Sequence, residues 1–105
     1  MAEFDTFARH GVPILAVIAN DACWTQIERE QVPMFSRDTA CPLAYCSYEK
    51  VAIGYGGDGV ELKSTDPEVI KQTYLKAFDT VKKGTPFLIN ALVGRSNFRE
   101  GSLSV

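Results

Sequence analysis

Residues 12–27 read VPILAVIANDACWTQI, and this stretch decides the fold. Residues 14–19 form an unbroken apolar run without alternation. Such a run fits a strand buried on both faces, as in a parallel sheet with helices on each side. It stops at Asn20-Asp21. Polar residues just past the C-terminal end of a parallel strand stand where open α/β sheets bind ligands. The run is also far shorter than the roughly 20 apolar residues that cross a bilayer.

Working outward, residues 2–10 read as the end of a helix. Phe4, Phe7 and Ala8 fall at i, i+3 and i+4 and make one apolar face. Gly11 is placed for a left-handed cap, and Pro13 stops the helix from continuing. On the other side, residues 25–31 read as a helical turn that Pro33 ends, and residues 36–42 read as loop. A long irregular stretch inside a small domain is often functional. Residues 48–55 predict a short helix with Val51, Ala52 and Tyr55 on one face. The glycines at 54, 56, 57 and 59 then make a tight turn into a short strand over residues 60–62.

The clearest helix follows. Thr65 and Glu68 have the spacing of a capping box, and Pro67 sits in the first turn, where its missing N–H costs nothing. Ile70, Tyr74, Ala77, Phe78 and Val81 make the predicted buried stripe. Lys82 and Lys83 suit the negative end of the helix dipole, and Gly84 caps it. Residues 87–93 read as a second buried strand, interrupted by Asn90, and residues 94–105 as a polar tail. Strands alternating with helices imply an α/β fold with a parallel sheet. Three strands are few for a doubly wound domain, so the expectation is part of a larger one.

Composition narrows the function. The 105 residues are 46% hydrophobic, enough for a core, with 11 basic and 13 acidic residues. There is no basic run, so nothing points to a nucleic-acid partner. No stretch has the pattern of a secretory leader or a membrane span. The 3 cysteines, Cys23, Cys41 and Cys46, form no CxxC, and His10 is the one histidine. That set is short of ligands for a structural zinc, and reduced thiols in a reducing, intracellular compartment are the expectation.

Two motifs carry possible metal chemistry. Asn20-Asp21 offers a side-chain oxygen and nearby carbonyls of the kind a hard cation such as magnesium takes. The competing reading is that the pair caps the following helical turn. Gly57-Asp58-Gly59 follows a helix and leads into Val60, so it reads as a helix-to-strand turn.

The run Val12 to Ile27 resembles the second half of the thiamine-diphosphate motif, in which an apolar strand ends in Asn-Asn or Asn-Asp before a loop over the cofactor. Glu28-Arg29-Glu30-Gln31, Tyr48-Glu49-Lys50-Val51-Ala52, Gly84-Thr85-Pro86-Phe87-Leu88-Ile89-Asn90 and the tail from Gly94 to Ser102 are similar to the acetolactate-synthase-like branch, which includes 2-hydroxyacyl-CoA lyases. The likeness covers nearly the whole chain and a small fraction of such an enzyme. It implies a doubly wound thiamine-diphosphate-binding domain of which residues 1–105 are the C-terminal part. It implies that Asn20 ligates magnesium (Mg2+) through its side chain and Ala22 through its carbonyl. Asp21, Cys23 and Trp24 would line the diphosphate loop, although this branch tends to have glycine where Cys23 stands.

The family's own Gly-Asp-Gly ends a strand and opens a helix, with its backbone amides facing the diphosphate. The triplet at 57–59 lies in the opposite context, so Asp58 and Asn90 are not expected to be the metal pair. The resemblance places the true metal aspartate, the catalytic glutamate and the flavin (FAD) sites of some members outside this segment, and no catalytic residue is expected within it. The parent would be a homo-oligomeric enzyme making or cleaving a carbon–carbon bond, with pyruvate or a 2-hydroxyacyl-CoA as substrate. Trp24 and Gln26 are placed to face substrate, with a core anchor as the competing role for Trp24. Arg95 and Arg99 are candidates for a coenzyme A phosphate, with a solvated tail as the alternative. The rival readings of the chain are a non-catalytic α/β interaction module or an inactive truncated product.

Overall fold

A computed structural model describes residues 1–97. Arg99 and the rest of the predicted tail from residue 98 lie outside the described residues. The order is α1 (Glu3–His10), β1 (Leu15–Asn20), α2 (Thr25–Phe35), α3 (Tyr48–Gly54), β2 (Asp58–Leu62), α4 (Pro67–Lys82) and β3 (Phe87–Leu92). The sheet order is β1-β3-β2, and both pairings are parallel. The α/β fold with a parallel sheet is therefore as expected.

The last strand in sequence is the middle one in space. Phe87, Leu88, Ile89 and Asn90 are each at most 1% exposed. Alternation sends Phe87 and Ile89 to one face, where they pack with Leu62 and with Ala77 of α4. Leu88 goes to the other face, against Phe4 of α1 and Ala52 of α3. Helices thus cover both faces, and full burial of side chains of this size stabilises by about 1.5–3 kcal/mol each. Burial on both faces holds for β3. It does not hold for β1, an edge strand among the described residues, where Val17 and Ala19 are exposed. An apolar run alone does not say whether a strand lies at the centre or the edge.

Several local readings are corrected. Helix α2 runs through Pro33 to Phe35. A proline in a helix both lacks the donor to the carbonyl one turn back and crowds that carbonyl; here it falls in the last turn, where Ser36 closes the helix in the left-handed conformation. Helix α4 is capped by Asp66, whose carboxylate accepts from the Glu68 amide at 2.9 Å, not by Thr65. Pro67 occupies its first turn as expected. Phe78 is 49% exposed and so lies off the buried stripe of Ile70, Tyr74, Ala77 and Val81. In α3 the buried residues are Glu49 and Ala52, while Val51 and Tyr55 face outward. A helix of two turns has too few apolar positions for its period to fix its face.

The Gly57-Asp58-Gly59 stretch has a packing role beyond a turn, since Asp58 and Gly59 already belong to β2. A Cβ on Gly57 would stand 2.9 Å from the Pro86 carbonyl and 3.2 Å from that of Ala52. A Cβ on Gly59 would meet the Leu88 carbonyl and the Glu49 Cβ, each at 3.0 Å. Both glycines let α3 lie close on the sheet. Gly59→Ala is therefore expected to destabilise by about 1–3 kcal/mol through overpacking. Gly94→Ala, which meets nothing within 4 Å, should stay within about 0.5 kcal/mol of the parent. Urea denaturation measures both; equal stabilities would remove the close-approach argument.

Candidate functional site

The carboxyl ends of β1 and β3 meet at Asn20 and Leu92, which are register partners. Beyond them the chain turns sharply. Ala22 adopts φ 54°, a left-handed conformation that costs a residue with a Cβ roughly 1–2 kcal/mol. Strain of this kind persists where surrounding bonds hold it, and here they do. The Ala22 amide donates to Asn20 Oδ1 at 3.1 Å, and its carbonyl accepts from the Leu43 amide at 2.8 Å. The Trp24 amide donates to the Cys41 carbonyl at 2.9 Å. Cys23 and Pro42 form an antiparallel bridge. The irregular segment around residues 36–46 thus returns to clamp the loop at 21–24.

Asn20 and Asp21 turn in different directions, and neither side chain caps α2, whose N-cap is Trp24. Asp21 braces the approach to α2: Oδ1 accepts from the Cys23 amide at 3.2 Å, and Oδ2 accepts from the Thr25 hydroxyl. Asn20 is 6% exposed and turns inward. Its Nδ2 donates to Asn90 Oδ1 at 3.1 Å, and Asn90 Nδ2 donates to Glu49 Oε2 at 2.8 Å and to the Cys46 carbonyl at 2.9 Å. Asn90 is fully buried and Glu49 is 7% exposed. Among the described residues no buried side-chain nitrogen or oxygen lacks a partner. A polar cluster so satisfied rigidifies its surroundings.

Two hollows open at this end. One of about 530 Å³ is lined by Asp21, Thr25, Gln26, Arg29, Gly94 and neighbouring residues. The other, of about 430 Å³, runs along Asp21, Cys23, Trp24 and Gln26. The structure thus brings Asp21, Cys23 and Trp24 to one surface, with Asn20 and Ala22 buried beneath it. Trp24 is 59% exposed, so it is not a core anchor here. Arg95 is engaged with Glu28 at 3.2 Å, and Tyr45 donates to the Val93 carbonyl at 2.9 Å. These contacts tie the exit of β3 to α2 and to the clamping segment.

Asp58 lies at the other end. It pairs in register with Phe87, as Leu15 does, whereas Asn20 pairs with Leu92. Five strand steps of about 3.3 Å put these levels roughly 16 Å apart. Its Oδ1 accepts from the next amide, that of Gly59, at 2.8 Å. Asp58 therefore lies too far from Asn20 for the two to share one ion. Sequence reasoning noted Asn90 as a break in the apolar strand but missed Glu49 and the bonds that join the two to Asn20. The available signal was a single polar residue inside each apolar surface.

The cysteines are free thiols, with Cys41 buried and Cys46 exposed. Gln31 holds the Cys41 loop, donating to the carbonyls of Arg37 and Thr39, each at 3.1 Å. Burial, followed by the neighbouring Cys23, pushes the Cys41 thiol above its ordinary value. A raised value in the fold means this group's stabilisation is fully present below the ordinary thiol pKa of about 8.5. It is lost as pH rises through the raised value. Chemical denaturation across that window should show stability falling, with a shallower fall in Cys41→Ala. Equal slopes would exclude Cys41 as the source.

The family described as "Thiamine pyrophosphate enzyme, C-terminal TPP binding domain" matches residues 1–91. The chain is 50% identical over 105 residues to 2-hydroxyacyl-CoA lyase 2 of Danio rerio. It is 44% identical to the protein of that name from Mus musculus and 43% to that from Homo sapiens, each over 105 residues. In every case 100% of this chain aligns with 17% of the relative, so it spans about a sixth of their length. A parallel sheet that ends in a braced Asn-Asp loop, together with a match over most of the chain, shows that it belongs to the thiamine pyrophosphate enzyme family, within the C-terminal cofactor-binding domain.

Proposed function

We propose that this chain supplies two Mg2+ ligands and the diphosphate loop of a 2-hydroxyacyl-CoA lyase, as the C-terminal part, residues 1–105, of its thiamine-diphosphate domain. The observation that carries the reading is the pair of oxygens at the end of β1. Among the described residues Asn20 Oδ1 accepts one hydrogen bond, from Ala22, and the Ala22 carbonyl accepts one, from Leu43. Each oxygen has two lone pairs, so each keeps a second acceptor direction. Neutral side-chain amide and carbonyl oxygens are the hard donors that Mg2+ takes alongside phosphate oxygens and water. The residues present therefore fit this group, which needs further ligands besides them.

Within the reading, Asp21 holds the loop through its bonds to Cys23 and Thr25, and Cys23 and Trp24 line the diphosphate side. Thiamine diphosphate supplies the carbanion stabilisation for the bond cleavage. The protein's part here is to hold the ligand oxygens still in a loop braced from two sides. The third metal ligand, the activating glutamate and the homo-oligomeric assembly belong to the rest of the enzyme. The relatives' shared name favours cleavage of a 2-hydroxyacyl-CoA over acetolactate synthesis. Nothing in this segment is assigned to FAD.

Calorimetry on the full-length protein carrying this segment tests the reading. Asn20→Ala removes a neutral oxygen ligand and should weaken Mg2+-dependent thiamine-diphosphate binding at least tenfold, the lower end of what disrupted metal shells lose. Asp58→Ala, at the opposite end of the sheet, should leave binding unchanged. Loss of binding in Asp58→Ala with normal binding in Asn20→Ala would assign the metal to the wrong motif.

A further inference from the structure

An asparagine can ligate a cation only through its oxygen, yet its amide oxygen and nitrogen have nearly the same shape. The partners around the amide decide which atom faces which way. At Asn20 those partners form a chain of fixed polarity that starts in α3 and in the segment just before it. The Cys46 carbonyl can only accept, and the Glu49 carboxylate oxygen accepts as well. Together they turn Asn90 Nδ2 toward themselves. Asn90 Oδ1 is then left facing Asn20, where it accepts from Nδ2 at 3.1 Å. That contact turns Asn20 Oδ1 to the loop side, where the Ala22 amide donates to it.

We infer that Asn90 and Glu49 are positioning residues that set the orientation of the Asn20 amide, so that it presents oxygen and not NH2 to a cation. The inference rests on the Mg2+ reading above and goes beyond it, since neither residue is itself a ligand. Burial makes the device effective: Asn90 is 0% exposed, so no water competes for its oxygen. The close approach of α3 that brings Glu49 into reach depends on Gly59, whose missing Cβ leaves room for the Glu49 Cβ. Without an acceptor at position 90 the Ala22 amide alone holds the Asn20 oxygen in place, and a half-turn of the side chain would aim its NH2 at the metal.

The test compares two variants of the full-length holoenzyme. Asn90→Leu keeps the branched shape with somewhat larger terminal groups and removes the acceptor. The double variant Glu49→Gln with Asn90→Asp keeps the net charge and the acceptor that faces Asn20: the amide introduced at position 49 can donate to one oxygen of the carboxylate introduced at position 90, while the other oxygen still accepts from Asn20 and the Cys46 carbonyl loses its donor. Mg2+ affinity at saturating thiamine diphosphate is read by calorimetry, and the melting temperature of the metal-free protein is read separately. Asn90→Leu should lose at least about tenfold in Mg2+ affinity, and the double variant should keep most of it even where its melting temperature falls. If both variants lose Mg2+ affinity in step with their melting temperatures, the cluster is structural only and the inference is wrong. Asn90→Leu with unchanged affinity overturns it too. In the unmutated protein the side-chain amide protons of Asn20 should exchange slowly with solvent in NMR spectra, and fast exchange would overturn it without any variant. Asn20→Ala in the same series separates the two claims: if it leaves Mg2+ affinity intact the metal reading fails, and if it abolishes binding while Asn90→Leu is silent only the positioning role fails.

Discussion

The structure depends on one constraint: β3 is paired along both edges and covered on both faces. Every main-chain group of a central strand must find its partner in the sheet, and every side chain must find one in a neighbouring layer. Phe87, Leu88 and Ile89 meet the requirement with apolar volume against α4 on one side and α1 and α3 on the other. Asn90 has to meet it with hydrogen bonds. Its three side-chain contacts, to Asn20, Glu49 and the Cys46 carbonyl, bind the centre of the sheet to β1 and to α3. A buried amide left without them would cost on the order of 1–3 kcal/mol.

That polar junction links the core to the candidate site. Asn20 ends β1 and opens the loop, and its side chain belongs to both. Ala22 holds its left-handed conformation because bonds arrive from two directions, from Asn20 within the turn and from Leu43 across the clamp. Asp21 then sets the path into α2. Loops are usually the adaptable part of a domain. This one is fastened to the most buried strand of the sheet, which suits a site whose oxygens must be held in place before a strongly hydrated cation gives up water.

The elements with a strong apolar signal were legible in the sequence. The two longer strands and α4 came from continuous runs and a clear helical period. Asn20-Asp21 stood out because polarity returns abruptly at a strand end. The less legible parts were those where the signal is short or non-local. Two-turn α3 showed Val51 and Tyr55 as readily as Glu49 and Ala52. The segment around residues 36–46 carried no period, and its pairing with Ala22 and Trp24 joins residues about 20 positions apart. Pro33 read as a stop, since the sequence does not reveal that the last turn of a helix can accept it.

By itself the sequence determined that this is an α/β chain with parallel strands, that polarity returns abruptly after residue 19 at the end of a strand, and that Gly57-Asp58-Gly59 joins a helix to a strand. These follow from patterns local to each element, which the side-chain period fixes. Only the tertiary structure decided that, among the described residues, β3 is the centre and β1 an edge, that α3 buries a carboxylate, and that Asn20, Asn90 and Glu49 are bonded in one line. Those facts depend on which elements become neighbours. The 70 residues between Asn20 and Asn90 are closed only when both strands enter the same sheet.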